Sequence, residues 1–276
     1  MTTHAIRQQP SVLGDDLRRL FALSWTLATT DFKLRFYGSV LGYAWTLVRP
    51  FALFGVLWIV FAEIADLGAN VKNYPAYILL SMTIFQFFRA IVDNALLSLV
   101  TRENLLRKIR FPRLVIPMAV TFGALFELAL TLAAVAIFLL ISGVFPGVGW
   151  LELLPLLAIV TLLGAGLGLL LSVLYVRFRD MAPIWDVIGQ MLFYASPIIY
   201  TATTVPAEWQ RLYLCNPIAA VLTQMRHAML DPDAPSTATL MGGTAWLLIP
   251  LGIVLASFAL GVWAFIREAP KVAENL

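Results

Sequence analysis

Six long apolar runs, at roughly 40–62, 77–100, 115–144, 151–176, 184–200 and 245–266, are separated by shorter polar connections. Each is near or above the roughly 20 residues a helix needs to cross ~30 Å of hydrocarbon. None shows the alternation of a barrel strand, and in lipid a single segment must satisfy its own backbone hydrogen bonds. The pattern predicts an all-α polytopic membrane protein with six transmembrane helices.

Two further segments stand out. Between residues 14 and 37, Leu17, Leu20, Phe21, Ala28 and Phe32 recur at helical spacing, with Arg18, Arg19, Thr26, Thr29, Thr30 and Lys33 on the other face. This predicts an amphipathic helix along the membrane interface; a helix docked on protein is the alternative. The connection at 201–240 carries Trp209, Leu212, Tyr213, Ile218, Val221 and Met225, broken by Pro206 and Asn216-Pro217. Short re-entrant helices on the outer side fit that pattern better than a solvated loop.

Composition removes the alternatives to a membrane chain. Hydrophobic residues make up 61% and charged residues 13% of the 276 residues, whereas a soluble domain carries about 25% charge. The mean hydropathy is +0.86. One membrane domain spanning 1–276 is expected, with no length left for a separate soluble one. The net charge of +3 is spread beside apolar runs rather than gathered in one tract, which argues for topology and against nucleic acid. The first forty residues lack a signal peptide's short apolar core and cleavage site, so the first span is expected to direct insertion. Cys215 is the single cysteine, and His4 and His227 lie far apart, so no metal site is expected.

Basic residues set the orientation. Arg7, Arg18, Arg19, Lys33, Arg35, Arg102, Arg107, Lys108, Arg110, Arg113, Arg177, Arg179, Arg267 and Lys271 fall on one set of connections, and only Lys72, Arg211 and Arg226 on the other. Basic residues near span ends stay cytoplasmic, which predicts both termini inside.

Arg49, Arg89, Asp93, Glu127 and Asp186 lie within or at the edge of the apolar runs, where an unpaired charge is costly. Arg89 and Asp93 are spaced to pair on one helix face. Glu127 has no partner within one turn: it is protonated, lies at water, or reaches a charge on another helix. Gly164, Gly166 and Gly168 form a small-residue face for close helix approach.

The chain lacks G-x-x-x-x-G-K-[ST], H-E-x-x-H and G-x-S-x-G, hence a recognisable nucleotide, metal-protease or hydrolase site. Other motifs are present. Arg35 is followed by Ser39-Val-Leu-Gly42-Tyr-Ala-Trp45 and Arg49-Pro50. Asn104-Leu-Leu-Arg-Lys108-Ile-Arg-Phe111-Pro112 fills the second connection, and Arg179-Asp180 follows the fourth span. Tyr194-Ala-Ser196-Pro197-Ile-Ile-Tyr200 ends the fifth, and Asn216-Pro217 and Arg226 lie beyond it. Together, in this order, these resemble the type-2 ABC exporter permeases, in their polysaccharide-export branch.

That resemblance implies a homodimer resting on two copies of an ABC ATPase subunit, which alone binds ATP and Mg; this chain is then a transport subunit without a cofactor of its own. The 102–114 segment is expected to hold a cytoplasmic coupling helix, with Asn104, Leu106, Arg107, Lys108, Arg110, Phe111 and Pro112 facing the ATPase. Arg35, Ser39, Trp45 and Arg49 are expected to meet an anionic headgroup, and Tyr43, Trp58, Tyr194 and Tyr200 to line a glycan path. Arg89, Asp93, Glu127, Arg179, Asp180, Ser196, Pro197, Asn216, Pro217 and Arg226 are expected to serve structure or gating. The implied activity is export of a polyprenyl-diphosphate-linked polysaccharide across a bacterial inner membrane. A drug or apolar-lipid permease, an ion-coupled transporter or flippase, and a membrane glycosyltransferase or phosphatase are the rival readings.

Overall fold

The computed structural model describes residues 17–275, except 36, 38–41, 43, 70 and 104–111. Helix is the only regular structure among them. The expected coupling residues Asn104, Leu106, Arg107, Lys108, Arg110 and Phe111, and also Ser39 and Tyr43, lie outside the described residues.

The long helices are α2 (Ala44–Trp58), α3 (Tyr74–Thr101), α4 (Val115–Ile141), α5 (Leu153–Arg177) and α10 (Leu248–Asn275). Extended by short flanking turns, they give five segments long and apolar enough to cross a membrane: Ala44–Ile64, Tyr74–Thr101, Val115–Ile141, Val148–Arg177 and Thr244–Glu268. These follow the first, second, third, fourth and sixth apolar runs closely. Helix α3 is the core: 78% of its most apolar stretch is buried, against 11% for α2 and 17% for α10, whose apolar faces point outward. Tyr77, Phe88, Ile78, Ile84 and Ile91 on α3 are fully buried, and α3 packs against both α4 and α5.

The glycines of α5 divide between two neighbours. A methyl group on Gly168 would meet Ala95 Cβ of α3 at 2.7 Å, while one on Gly166 would meet the Phe258 backbone of α10 at 2.5 Å. The small-residue face therefore serves two close helix packings.

The fifth predicted span has a shorter helix than its apolar run. The run 184–200 forms only α6 (Met181–Tyr194), 14 residues long, and a helix of that length covers ~21 Å, short of the hydrocarbon thickness. Ser196-Pro197 follows the helix end, because proline has no N–H to continue the ladder. Beyond it come α7 (Ala207–Tyr213), α8 (Pro217–Met225) and α9 (Thr237–Met241). Asn216 caps α8 by accepting from the Ile218 amide at 3.0 Å, and Pro217 takes the first helical position, where a missing N–H costs nothing.

Helix α1 (Leu17–Arg35) docks on α4. Its buried seam is Leu20, Ser24 and Ala28. Phe21 and Trp25 contact Phe122, and Trp25 and Phe32 contact Phe126, all edge-on at centroid separations of 4.9–5.8 Å. The expected apolar stripe is thus partly displaced: Leu17 stays 76% exposed, whereas polar Ser24 is buried and donates to the Leu20 carbonyl at 2.8 Å.

Candidate functional site

A cavity of about 880 Å³ opens between the end of α1 and helices α2, α3, α4 and α6. It is lined by charged and amide groups — Arg35, Arg49, Gln86, Arg89, Asp93, Asn94, Glu127 and Gln190 — beside Trp45, Phe85, Phe87 and Phe193. So many polar groups on apolar spans are costly in lipid, and they are accommodated by facing one another across the cavity.

Two ion-pair systems organise the walls. On one side, Arg89 Nε lies 3.3 Å from Asp93 Oδ2 one turn along α3, and Nη2 donates to Asp186 Oδ1 of α6 at 3.0 Å. The guanidinium sits over the Trp185 ring at 5.3 Å, and the indole Nε1 donates to Asp93 Oδ1 at 2.6 Å. Arg89 reaches α6 through a notch at Gly189, where a methyl group would fall 1.2 Å from Nη1. The expected Arg89–Asp93 pair is present, then, as part of a larger α3–α6 staple.

On the other side, Arg35 at the last turn of α1 pairs with Glu127 of α4. Among the three options the sequence left open for Glu127, the structure has it reach a charge on another helix. Nearby, Arg102, just after α3, pairs through Nη2 with Asp31 of α1. Both pairs border a second chamber of about 220 Å³ between α1, α3 and α4, which also includes Asn94, Ser98 and Thr101.

At the opposite end of α3 the chain is tied down by tyrosines. Tyr74 Oη donates to the Ile199 carbonyl at 2.5 Å, and the Tyr77 hydroxyl lies against the Pro197 and Tyr200 carbonyls. Asn216 Nδ2 donates to Ser196 Oγ at 3.2 Å, fastening α8 to the end of α6. Arg226 packs 5.9 Å from the Tyr77 ring and pairs with the buried Asp231 at 3.4 Å. Tyr213 Oη donates to Tyr200 Oη at 3.2 Å, and burial, with the neighbouring Tyr200 hydroxyl, raises the Tyr213 pKa well above 10. Ser196, Pro197, Asn216, Pro217 and Arg226 thus meet in one assembly.

The cavity brings together Arg35, Trp45, Arg49, Arg89, Asp93 and Glu127. Among the described residues it does not include the other expected ones. Trp58 is stacked on Phe54 and 38% exposed, and Tyr194 is 70% exposed. Tyr200 belongs to the tyrosine assembly. Arg179 lies over the Tyr175 ring at 5.0 Å, with Asp180 at the N-cap position of α6. The Pro112 carbonyl accepts from the Val115 amide at the start of α4. Sequence reasoning passed over Asp31 and Arg102 as partners lining the second chamber, and over Gly189; Trp185 stood out only as one of the aromatics of the fifth apolar run, not as a partner of Asp93. The aromatic–acid spacing on α6 offered a weak signal for Trp185; nothing local pointed to Asp31.

Residues 22–230 match the ABC-2 type transporter family, and the chain belongs to it. It is similar to the O-antigen export system permease protein RfbA of Klebsiella pneumoniae, with 25% identity over 217 residues, covering 78% of this chain and 83% of that protein. The RfbA protein of Myxococcus xanthus is 25% identical over 255 residues, covering 91% and 94%. The polysialic acid transport protein KpsM of Escherichia coli is 23% identical over 236 residues, covering 83% and 89%.

Proposed function

We propose that this chain is the membrane-spanning subunit of an ABC exporter that moves a polyprenyl-diphosphate-linked polysaccharide across the bacterial inner membrane. The observation that carries this reading is the cavity, where Arg35 and Arg49 stand beside Trp45 at the end of α1. Guanidinium forks suit a diphosphate, and the cavity's aromatic faces suit a sugar or an isoprene. The similarity to O-antigen and polysialic acid permeases supports a polysaccharide over a drug.

In this reading two copies of the chain pair, with the polymer passing between them, and two ATPase subunits bearing ATP and Mg engage the 102–114 connection from the cytoplasm. Helix α1 lies along the inner leaflet interface. The basic residues Arg18, Arg19, Lys33 and Arg35 at one end of the chain and Arg267 at the other call for an even number of crossings. The half-length α6, joined at Ser196 to the re-entrant α8, then makes the sixth, and both termini are cytoplasmic.

Co-expression with the ATPase encoded beside this gene tests the assignment. A stable complex is expected, with ATP turnover that falls at least tenfold when Lys108 and Phe111 are replaced by alanine while assembly persists. An ATPase that neither binds nor responds to these changes contradicts it.

A further inference from the structure

The 880 Å³ cavity and the 220 Å³ chamber share Arg35, Asn94, Ala124 and Glu127, so the Arg35–Glu127 pair forms part of the wall between them. The cations on the two sides are unequally satisfied. On the cavity side, Arg49 has no carboxylate partner among the described residues, where the ion pairs of Arg35, Arg89 and Arg102 account for the other nearby guanidinium groups. On the chamber side, Arg102 Nη2 holds Asp31, but the buried Nη1 has no hydrogen-bond partner. A buried guanidinium N–H without an acceptor is costly, and a carboxylate is the nearest chemistry that would fill it.

Glu127 presents to the Arg35 guanidinium an anionic oxygen, as a phosphate would. A phosphate or diphosphate carries more charge and more acceptor oxygens, and Arg49 is available to bind it as well. We infer that Glu127 is an exchangeable counter-ion: it holds Arg35 while the cavity lacks an anion, and it turns toward Arg102 Nη1 when a phosphate or diphosphate takes Arg35 and Arg49. This rests on the carrier-lipid reading of the cavity.

The exchange has a mechanical consequence. Helix α1 is tied to α4 through Arg35–Glu127 and to the end of α3 through Asp31–Arg102. Moving one carboxylate releases the tail of α1 from α4 and ties α4 to Arg102 instead. Arg102 is the first residue after α3 and opens the connection assigned to the ATPase. Two alternative pairings of one side chain make a two-state element through which occupancy of the cavity is reported to that connection.

The test uses the full chain in phosphatidylcholine nanodiscs, with undecaprenyl diphosphate as the probe and quenching of tryptophan fluorescence, to which Trp45 contributes, as the readout. Glu127→Gln keeps the shape and removes the competing charge, so binding is expected to tighten about tenfold. Arg35→Gln is expected to lose binding with or without the Glu127 change; if it does not yield a monodisperse protein, Arg35→Lys replaces it, with a several-fold loss expected. The decisive variant is Arg102→Gln. It is expected to weaken binding in the wild-type background but not alongside Glu127→Gln, since only a charged Glu127 needs the second partner. Unchanged or weaker binding by Glu127→Gln, or equal effects of Arg102→Gln in both backgrounds, overturns the exchange; if Arg35→Gln still abolishes binding, the carrier-lipid reading survives. Phosphatidylglycerol reproducing the same pattern overturns the carrier-lipid reading and leaves the exchange. No binding by either wild type or Glu127→Gln overturns both.

Discussion

Gly189 on α6 stands directly against the Arg89 guanidinium of α3, so close that a single methyl group at position 189 would overlap Nη1 at 1.2 Å. This notch lets one arginine hold Asp93 on its own helix and Asp186 on the next. The contact adds to the ring packing of Phe85 on Phe193 and Phe88 on Trp185 that holds the half-length α6 against α3 beside the cavity.

Replacing Gly189 with alanine therefore removes more than space. The guanidinium must shift and weaken its hold on two partly exposed carboxylates, which is expected to cost about 1–2 kcal/mol. Thermal denaturation in detergent checks this. Gly252→Ala, where the added methyl meets nothing within 4 Å, is the control and should leave Tm unchanged.

Trp185→Phe keeps an aromatic face for Arg89 but deletes the indole N–H that holds Asp93 Oδ1 at 2.6 Å. A loss of about 1–3 kcal/mol is expected, since a carboxylate loses a charge-assisted donor. Because Trp185→Phe and Gly189→Ala act on one network, the double variant should fall short of the sum of the two.

Gly166 and Gly261 let α5 and α10 meet backbone to backbone, with a methyl on Gly261 falling 2.1 Å from the Gly166 carbonyl oxygen. Alanine at either position is expected to separate these helices and lower stability by about 2–4 kcal/mol. The same change at Gly55, which faces open space, should be silent.

Tyr213 gives a pH dependence of definite sign. Its folded-state pKa is raised above the ordinary 10.0 by burial and the Tyr200 hydroxyl. Well below pH 10 the group is protonated whether folded or unfolded, and stability does not change with pH on its account. Above pH 10 the unfolded chain loses the proton and the folded one keeps it, so stability falls as pH rises. Between pH 9.5 and pH 11, Tyr213→Phe is expected to lose less stability than the wild type in denaturation titrations at stepped pH, and a parallel decline contradicts this.

The spans were legible because burial in lipid imposes one requirement, about 20 apolar residues, that the sequence displays directly. The exception is instructive. Residues 184–200 are apolar enough to cross, but Ser196-Pro197 stops the helix, and the remaining apolar side chains are buried in the turn beneath Tyr74 and Tyr77 instead of facing lipid. The site divides the same way. Arg89–Asp93 could be read from i,i+4 spacing, whereas Arg35–Glu127 joins residues 92 apart and Arg102–Asp31 residues 71 apart, separations over which no local pattern exists. Helix α1 was recognisable as amphipathic, but which surface receives it was not, because its ring partners Phe122 and Phe126 lie roughly 100 residues away on α4.

In the proposed function, the cavity beside Arg35 and Arg49 admits a diphosphate-linked glycan for ATP-driven export. The most direct test reconstitutes the chain with its ATPase in proteoliposomes carrying a polyprenyl-diphosphate-linked polysaccharide, and follows, on the side opposite the ATPase, the appearance of glycan accessible to an added glycosidase. ATP-dependent appearance that is lost with Arg35→Gln is the expected result. Movement that needs no ATP, or that proceeds equally with a glycan on an uncharged lipid, would contradict the account.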